Sequence, residues 1–308
     1  MKKVFIDGSA GTTGLRIFQR LEARDDIELI RLAEEDRKVI EKRKEVINNS
    51  DITFLCLPDD AAIESVSLCE NPKTVIIDTS TAHRTNADFV YGLPELENQH
   101  EKIKSSKRIA VPGCHAGGFV SLVAPLVKAG IIDKSALLFC HSVTGYSGGG
   151  KKMIAEYESQ DRDVLLGAPR QYGLTQNHKH LKEMKAICTL ENNPIFCPVV
   201  SDFYSGMVVT VPLFAKDLKS GGIEDIKKIY SDLYTGPIVK YTDEIADNGF
   251  LSGAKMSGLD SMQVGVLGND ERILLCAAFD NLGHGASGCA VECMNIVLGC
   301  DITTGLEL

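Results

Sequence analysis

Short apolar runs and stretches with helical periodicity alternate along the first third of the chain. The apolar runs predict strands at residues 4–6, 27–32, 52–57 and 74–78. The helical spacing predicts helices at residues 13–24, 34–49 and 61–69. Strands that alternate with helices in this way form right-handed βαβ units around a parallel sheet, which binds ligands beyond the carboxyl ends of its strands.

The apolar positions also predict which faces of the first two helices are buried. In the first helix the predicted inward residues are Leu15, Phe18 and Leu21. In the second they are Val39, Ile40, Val46 and Ile47. We therefore expect each helix to pack on the sheet through these side chains.

The remainder of the chain has a different pattern. Strands are predicted at residues 108–111, 137–144, 194–200, 207–213 and 274–279. Helices are predicted at residues 151–158, 223–233 and 286–298. The strands after residue 137 predict a second lobe with a larger, mixed and largely antiparallel sheet.

Length and charge narrow the class of protein. The chain has 308 residues, and at roughly 150 residues per domain this suggests two domains. It carries 33 Lys and Arg against 42 Asp and Glu, a formal net charge of −9. A nucleic-acid-binding domain usually carries a basic patch, so no nucleic-acid partner is expected.

The apolar segments predict a cytoplasmic protein with no membrane partner. Residues 1–8 lack the apolar run of about 7–15 residues that a signal peptide needs. The longest apolar stretch, residues 117–132, is interrupted by Lys128 and falls short of the roughly 18 residues of a membrane-spanning helix. Thiols stay reduced in the cytoplasm, so disulfides are not expected.

The ten cysteines divide into nine packing residues and one candidate nucleophile. No C-x-x-C pair occurs, and Cys289 and Cys293 have no partner pair nearby, so no metal site is expected. Cys114 differs because it follows a Pro-Gly turn and begins a long apolar helix. A helix N-terminus stabilises a thiolate, which makes Cys114 the predicted nucleophile.

The loop between the first strand and the first helix has the spacing G-x-x-G-x-x-G. Glycines permit a tight turn and the close approach of a pyrophosphate, and the helix N-terminus supplies N–H groups. The loop therefore predicts a dinucleotide site. Its residues are Gly8, Ser9, Gly11, Thr12, Thr13 and Gly14.

The end of the second strand bears on the choice between NAD and NADP. An acidic residue there binds the ribose 2′-hydroxyl of NAD, whereas a basic residue accommodates the 2′-phosphate of NADP. Arg31 lies near that strand end, with Arg37 and Lys38 beyond it. Glu34 and Glu35 compete with them. The sequence favours NADP and leaves NAD open.

Two histidines stand beside a carboxylate at the predicted start of a helix. His178 and His180 are candidates for the acid/base partner of a nucleophilic thiol, and Glu183 is a candidate to orient one imidazole. His115 follows the nucleophile directly, but its side chain is expected to point elsewhere. His284 is a further candidate.

Two segments are candidates for anion binding. Residues 145–152 combine a flexible, glycine-rich backbone with two lysines, and successive backbone N–H groups form nests for anions. Arg84 follows the fourth strand, at the ligand end of the sheet, where its guanidinium is a candidate to bind an anion through two hydrogen bonds.

Together these motifs resemble the N-acetyl-γ-glutamyl-phosphate reductase family in its shorter second type, within the aspartate-semialdehyde dehydrogenase superfamily. The resemblance covers nearly the whole chain. In order, the matching segments are GSAGTTG at 8–14, CLPDDAA at 56–62, IDTSTAHR at 77–84, YGLPEL at 91–96, PGC at 112–114, YSGGGKKMI at 146–154, NHKHLKEM at 177–184 and DNLGHGASG at 280–288.

The resemblance implies a fold and a reaction. The implied fold class is α/β: residues 1–114 and 285–308 form a Rossmann-type NADP-binding domain, and residues 115–284 an α+β catalytic and dimerisation domain with a mixed, largely antiparallel sheet. The implied reaction, a step of arginine biosynthesis, is the NADPH-dependent reduction of N-acetyl-γ-glutamyl phosphate to N-acetylglutamate semialdehyde and phosphate. It implies a thioester on Cys114 and a homo-oligomer, either a dimer or a tetramer.

The resemblance also implies roles for further residues. His180, or alternatively His178, is the implied acid/base. The additional cofactor-binding residues are Pro58, Ser80 and Asn281. The residues implied to hold phosphate and the substrate carboxylate are Arg84, Gly148, Gly149 and Lys151.

The chain departs from the family pattern around the nucleophile. Where the family often has Asn before Pro-Gly-Cys and Tyr-Pro-Thr after it, this chain has Val111 and then His115, Ala116 and Gly117. Lys182 stands where the histidine motif often has proline. The departures leave Cys114 and both histidines of the motif in place.

Three other functions compete with this reading. An aspartate-semialdehyde dehydrogenase would keep Cys114 and the cofactor loop but use aspartyl phosphate. A catalytically inactive paralogue would bind nucleotide and act through a partner. A nonphosphorylating aldehyde dehydrogenase would show no requirement for phosphate.

Overall fold

The predicted alternation of strands and helices builds a six-stranded sheet in the first unit of the chain. The computed structural model describes all 308 residues. The first unit comprises Met1–Pro94, Asn98–Gly113 and Ala286–Leu306. Its strands are β1 (Lys2–Asp7), β2 (Ile27–Ile30), β3 (Ile52–Leu55), β4 (Val75–Asp78), β5 (Val90–Tyr91) and β6 (Arg108–Ala110). Its helices are α1 (Thr12–Leu21), α2 (Ile40–Asn49), α3 (Asp59–Leu68), α4 (Gln99–Ser105) and α9 (Gly288–Leu298).

All pairings in this sheet are parallel, in the order β2-β1-β3-β4-β6-β5. Helices cover both faces, as a parallel sheet requires. Val4 and Ile6 pack in one apolar core with residues of α1 and α9, while Phe5 packs in a second core with Leu55 and Ile76. The carboxyl ends of β1, β3 and β4 therefore lie at one edge, where the glycine loop begins.

The second unit is built around a seven-stranded mixed sheet. It comprises Glu95–Glu97, Cys114–Gly285 and Glu307–Leu308. Its helices are α5 (Cys114–Lys128), α6 (Gly150–Glu158), α7 (His180–Ile187) and α8 (Ile223–Leu233). Its strands are β7 (Phe139–Gly145), β8 (Arg170–Gln171), β9 (Ile195–Ser201), β10 (Met207–Phe214), β11 (Val239–Tyr241), β12 (Met262–Gly268) and β13 (Arg272–Phe279).

The strand order of this sheet is β11-β12-β13-β10-β7-β9-β8. Four of its pairings are antiparallel, and β7–β9 and β11–β12 are parallel. The apolar helix α5 packs on β10 and β13 and against α7 and α8. These two sheets confirm the predicted fold class. None of the helices has the length and apolar character needed to cross a bilayer.

The other face of the mixed sheet carries exposed apolar side chains. Phe139 and Ile195 are register partners on β7 and β9, and each is 49% exposed. Pro212 pairs with Leu274, and Leu274 is 38% exposed. Because side chains alternate across a strand, all four share the face opposite α5.

The predicted helix at residues 34–49 is wrong in its first part. Glu34–Lys38 forms a 3-10 turn, and α2 begins only at Ile40. Val39 and Ile40 are exposed, not inward. The buried face instead contains Arg43, whose guanidinium donates to Asp7 Oδ2 from Nε at 3.2 Å and from Nη2 at 3.1 Å. An ion pair thus occupies a position that apolar periodicity does not reveal.

Two further sequence expectations are wrong. Leu15 is 48% exposed, and Gly14 and Ile17 are buried in its place. Leu21 is buried as predicted, and Phe18 is partly buried against the core. Residues 145–152 are not a flexible loop, because Tyr146–Gly149 forms a 3-10 turn that leads into α6. Hydrogen bonds from the backbone N–H groups of Tyr146 and Ser147 to Phe203 and Tyr204 carbonyls hold this turn.

The sequence reasoning missed β12. Its segment contains two glycines, which are depleted in strands. Gly265 is nevertheless required there, since a Cβ would lie 2.6 Å from Ile245 Cγ2.

The division of the chain at residues 114/115 and 284/285 into an NADP-binding domain and a catalytic domain stays a prediction, because it assigns a function to each part.

Candidate active site

The glycine loop between β1 and α1 is shaped by close backbone contacts at two glycines. Gly8 has φ +91°, and a Cβ there would lie 2.3 Å from the Cys56 carbonyl oxygen. A Cβ on Gly14 would lie 2.4 Å from the Gly8 carbonyl oxygen. Gly11 differs, because its nearest neighbour would be 3.5 Å away. The fold therefore has room for a side chain at this N-cap of α1, and the role of Gly11 in cofactor binding stays a prediction.

A cavity of about 400 Å³ opens beside this loop within the first unit. Gly8 and Ser9 line it, together with Arg31, Arg37 and Lys38. The Arg31 guanidinium carbon lies 4.2 Å from the centre of the Phe18 ring, which holds it at the cavity wall. Neither Glu34 nor Glu35, the acidic residues near the end of β2, lines the cavity. The basic wall of the cavity therefore fits the 2′-phosphate that distinguishes NADP from NAD.

The other predicted cofactor residues of this unit surround the strand ends. Thr12 and Thr13 form the half-buried first turn of α1, and Pro58 is the N-cap of α3. Ser80 follows β4, and its Oγ donates to Asp78 Oδ2 at 2.7 Å. Its hydroxyl therefore supports the end of β4.

Arg84 is buried and makes contacts within the first unit. Its Nε donates to the Val111 carbonyl at 2.8 Å and its Nη2 to the Thr79 carbonyl at 2.8 Å. These bonds tie the ends of β4 and β6 together. A role of Arg84 in binding the substrate stays a prediction.

Cys114 is the first residue of α5 and is half-buried. No disulfide involves any of the ten cysteines. Burial raises the pKa of the Cys276 thiol to about 11, and burial also raises the pKa values of Cys140 and Cys188. Those thiols stay protonated, whereas Cys114 has an accessible surface and a helix N-terminus to stabilise its thiolate.

The backbone at Gly285 passes directly beside this cysteine. A Cβ on Gly285 would lie 2.9 Å from Cys114 Cβ. Any larger residue would displace the nucleophile, so the glycine at this position is explained by the fold around Cys114.

The two histidines of the NHKH segment adopt different roles at the start of α7. Their ring centres are 4.7 Å apart. Nδ1 of His178 accepts the backbone N–H of His180 at 3.2 Å, so His178 satisfies the first backbone donor of α7. Burial, and then Lys179, lower the pKa of His178. His180 and Glu183 are both buried and stand one helical turn apart on the same side of α7.

His115, which the sequence analysis did not place in the site, and Tyr172, which it missed, both belong to this cluster. The ring centre of His115 lies 5.6 Å from that of His180 and 6.3 Å from that of His178. Nε2 of His115 is hydrogen-bonded to the Tyr172 hydroxyl at 2.7 Å. The adjacency of His115 to Cys114 was the available signal, but only the packing of α5 against α7 brings these rings together.

The remaining predicted site residues lie around α6. Asn281 accepts the Gly206 N–H at 2.9 Å and donates to Ser147 Oγ at 3.0 Å. Gly148 lies beside the Asn281 amide, and Lys151 is exposed in the first turn of α6. A Cβ on Gly149 would meet Met153 Sδ at 2.4 Å. The Asn281 side chain thus orders the turn that leads into α6.

His284, the further histidine candidate, is buried. Burial lowers its pKa to about 4, so its imidazole is neutral at physiological pH. It is therefore a less suitable acid than a histidine that titrates near neutral pH.

Solved structures share this fold. Aspartate semialdehyde dehydrogenase II of Vibrio cholerae superposes with a TM-score of 0.70 at 16% identity, over 97% of this chain and 98% of that one. The Candida albicans aspartate semialdehyde dehydrogenase, solved with NADP, gives a TM-score of 0.68 at 14% identity, over 97% and 99% of the two chains.

Sequence comparison gives the family. The semialdehyde dehydrogenase NAD-binding domain matches residues 3–106, and the semialdehyde dehydrogenase dimerisation domain matches residues 114–281. An N-acetyl-γ-glutamyl-phosphate reductase of Nostoc sp. is 42% identical over 99% of both chains. One of Rhizobium meliloti is 42% identical over 96% of this chain and 98% of that one. The chain therefore belongs to the N-acetyl-γ-glutamyl-phosphate reductase family of semialdehyde dehydrogenases.

Proposed function

We propose that this protein reduces N-acetyl-γ-glutamyl phosphate to N-acetylglutamate 5-semialdehyde and phosphate with NADPH, a step of arginine biosynthesis. The observation that carries the proposal is that Cys114, at the start of α5, and the buried His180, at the start of α7, belong to one unit, with the ring centre of His115 5.6 Å from that of His180. The full-length similarity to reductases of this name supports the choice of substrate.

The proposed chemistry passes through a thioester. The Cys114 thiolate attacks the acyl carbon, the new C–S bond forms, and the C–O bond to phosphate breaks. NADPH supplies hydride to the thioester carbon when it is bound. The hemithioacetal oxyanion then re-forms a carbonyl, and the C–S bond breaks to release aldehyde and thiolate.

The chain's own groups act on charge and protons in these steps. Backbone N–H groups at the start of α5 stabilise the oxyanion. His180 holds and transfers the proton that the released thiolate takes up, with Glu183 orienting the imidazole. We also propose the predicted domain roles, with residues 1–114 and 285–308 binding NADP and residues 115–284 binding the substrate through Gly148, Gly149 and Lys151. Arg84, which belongs to residues 1–114, is proposed as a further anion-binding residue.

The basic cavity wall leads to a prediction about the cofactor. The Arg31→Met variant should bind NADPH roughly 10- to 100-fold more weakly, since a hydrogen bond to a charged group contributes about 1.5–3 kcal/mol. Its affinity for NADH should be unchanged, because NADH has no 2′-phosphate. Fluorescence titration with each cofactor measures both constants, and Arg272→Met is the control for loss of an exposed arginine. An equal loss for both cofactors would contradict the role of Arg31.

We further propose that the exposed face of the mixed sheet, with Phe139, Ile195, Pro212 and Leu274, joins two copies of the chain. The match of this unit to a dimerisation domain and the exposed apolar side chains of this face support the proposal.

We also propose a cytoplasmic location. Ten cysteines without a disulfide fit a compartment in which thiols stay reduced.

Substituting Phe139 tests the dimer. We expect Phe139→Glu to convert a dimer into a monomer in sedimentation-velocity experiments, because the carboxylate would be buried unpaired in an apolar interface. Phe250→Glu, at a phenylalanine that is 78% exposed in the turn after Asp247, should leave the dimer intact. A monomeric wild type, or a dimeric Phe139→Glu variant, would refute this interface.

The proposed reaction is tested by assaying its reverse. Purified protein is given N-acetylglutamate semialdehyde, phosphate and NADP, and NADPH formation is followed. Activity that depends on phosphate supports the proposal. Activity with aspartate semialdehyde and none with N-acetylglutamate semialdehyde would instead identify an aspartate-semialdehyde dehydrogenase. Activity without phosphate would indicate a nonphosphorylating dehydrogenase, and cofactor binding without turnover an inactive paralogue.

A further inference from the structure

A hydrogen-bonded chain runs from the interior of the mixed sheet to the neighbourhood of Cys114. Ser142 on β7 is completely buried, and its Oγ lies 2.6 Å from Nδ1 of His115. Nε2 of the same ring lies 2.7 Å from the Tyr172 hydroxyl. Tyr172 directly follows β8 and is half-buried, so the chain leads from the core towards accessible space. The proposed mechanism uses none of these three side chains.

The protonation state of His115 is settled by its surroundings. Burial, and then His178, lower its pKa to about 3. The imidazole is therefore neutral at any working pH and carries one N–H donor and one acceptor nitrogen. Its proton lies either on Nδ1, facing Ser142, or on Nε2, facing Tyr172.

Ser142 decides between these two tautomers. Its hydroxyl carries one proton, and Nδ1 of His115 is its hydrogen-bond partner. If Nδ1 were protonated, the Ser142 O–H would be a buried donor without an acceptor, which proteins strongly disfavour. Ser142 therefore donates to Nδ1, and the ring proton lies on Nε2.

The direction of the chain determines what Tyr172 does with its own proton. Since Nε2–H donates to the Tyr172 oxygen, the phenolic proton points away from His115. Burial, and then the nearby Cys114, raise the pKa of Tyr172, so the phenol stays protonated. Cys114 directly precedes His115 on α5, and the Tyr172 hydroxyl lies 2.7 Å from Nε2 of His115, so the phenol lies near the nucleophile. The Tyr172 O–H is thus a donor that His115 does not use and that lies near the nucleophile.

We propose that Tyr172 is a further catalytic residue whose O–H donates to the acyl oxygen of the substrate carried on Cys114. His115 and Ser142 are positioning residues, which fix the direction of that donation. The proposal rests on the proposed function, because it concerns an acyl group on Cys114. Negative charge grows on this oxygen as thiolate or hydride adds to the carbon, so the hydrogen bond strengthens in the transition state.

The Tyr172→Phe variant tests the donor, because it removes the hydroxyl and keeps the ring. In the phosphate-dependent assay, kcat should fall about 10²-fold, while KM for the semialdehyde stays within about twofold. The NADP dissociation constant should be unchanged. The melting temperature should fall, because the buried Nε2–H of His115 loses its acceptor, so kcat is measured at a temperature at which both proteins are folded. Tyr241→Phe, which loses an exposed hydroxyl bonded to Asp243, is the matched control. An unchanged kcat, or a raised KM with unchanged kcat, would overturn the proposal.

Variants of His115 test the positioning. His115→Gln can place an amide N–H where Nε2 stands, whereas His115→Asn reaches only the Nδ1 position. We expect the glutamine variant to keep more of kcat. The double variant Tyr172→Phe/His115→Asn should be no slower than Tyr172→Phe, since both changes abolish the same hydrogen bond from Tyr172 to the substrate. Multiplied losses would overturn the role of His115.

These outcomes are separable from failure of the proposed reaction. If the wild type uses a different semialdehyde, the proposed substrate is wrong, but Tyr172→Phe measured with the accepted semialdehyde still tests the donor. If the wild type turns over no acyl substrate at all, both proposals fall together.

Discussion

Replacing Cys114 by serine is expected to abolish turnover, with a loss in kcat on the order of 10⁴-fold or more. Cys114 is the half-buried first residue of α5, and its sulfur forms and breaks the covalent bond to the substrate in the proposed reaction. A serine hydroxyl is a far weaker nucleophile than a thiolate at neutral pH. The measurement is phosphate-dependent reduction of NADP by the purified variant.

Two controls separate the chemistry from the fold. NADPH titration of Cys114→Ser should give the wild-type dissociation constant, because the cofactor cavity lies in the first unit and Cys114 in the second. Cys69→Ser, at a half-buried thiol that ends α3, should retain activity. A Cys114→Ser variant that turns over at the wild-type rate would remove the thioester from the mechanism.

His180 is expected to give the second-largest effect. The His180→Asn variant should lose about 10²- to 10⁴-fold in kcat, which is the usual contribution of general acid–base catalysis. The physical reason is the division of labour at the start of α7. Nδ1 of His178 is occupied by the His180 backbone N–H, which leaves His180 with the buried Glu183 one turn away.

His178→Asn is the matched comparison. The asparagine side-chain oxygen can accept the same backbone N–H that Nδ1 accepts, so this hydrogen bond at the start of α7 should survive. We expect this variant to lose much less activity than His180→Asn. In a plot of kcat against pH, the slope that reports ionisation of the acid/base should be absent from the His180 variant and present in the His178 variant. The reverse ranking of the two variants would assign the proton transfer to His178.

Long-range contacts explain where the sequence analysis was wrong. Arg43 is buried because it pairs with Asp7, a residue 36 positions away, and this pair sets the inward face of α2. Periodicity predicted an apolar face instead, since it counts residue types and cannot detect a charge that is compensated from another element. Gly265 shows the same limit, because its reason is a contact with Ile245 and not the local propensity of β12.

The family resemblance and the geometry contribute different parts of the candidate site. Motif matches predicted roles for Pro58, Ser80, Arg84 and Asn281, and these assignments stay predictions. The structure adds that the side chains of Ser80, Arg84 and Asn281 each support the surrounding backbone or turn. Their substitution would therefore change the local fold as well as any ligand contact.

The sequence by itself determined the features that depend on neighbouring residues. Strand–helix alternation, the glycine loop and the Pro-Gly turn before Cys114 are local signals, because backbone sterics, helix periodicity and helix termini act over a few residues. Tertiary structure alone decided the chain Ser142–His115–Tyr172, in which His115 and Tyr172 are 57 positions apart. Such a contact requires α5, β7 and the segment after β8 to pack together, and the direction of its protons follows from which of these groups is buried.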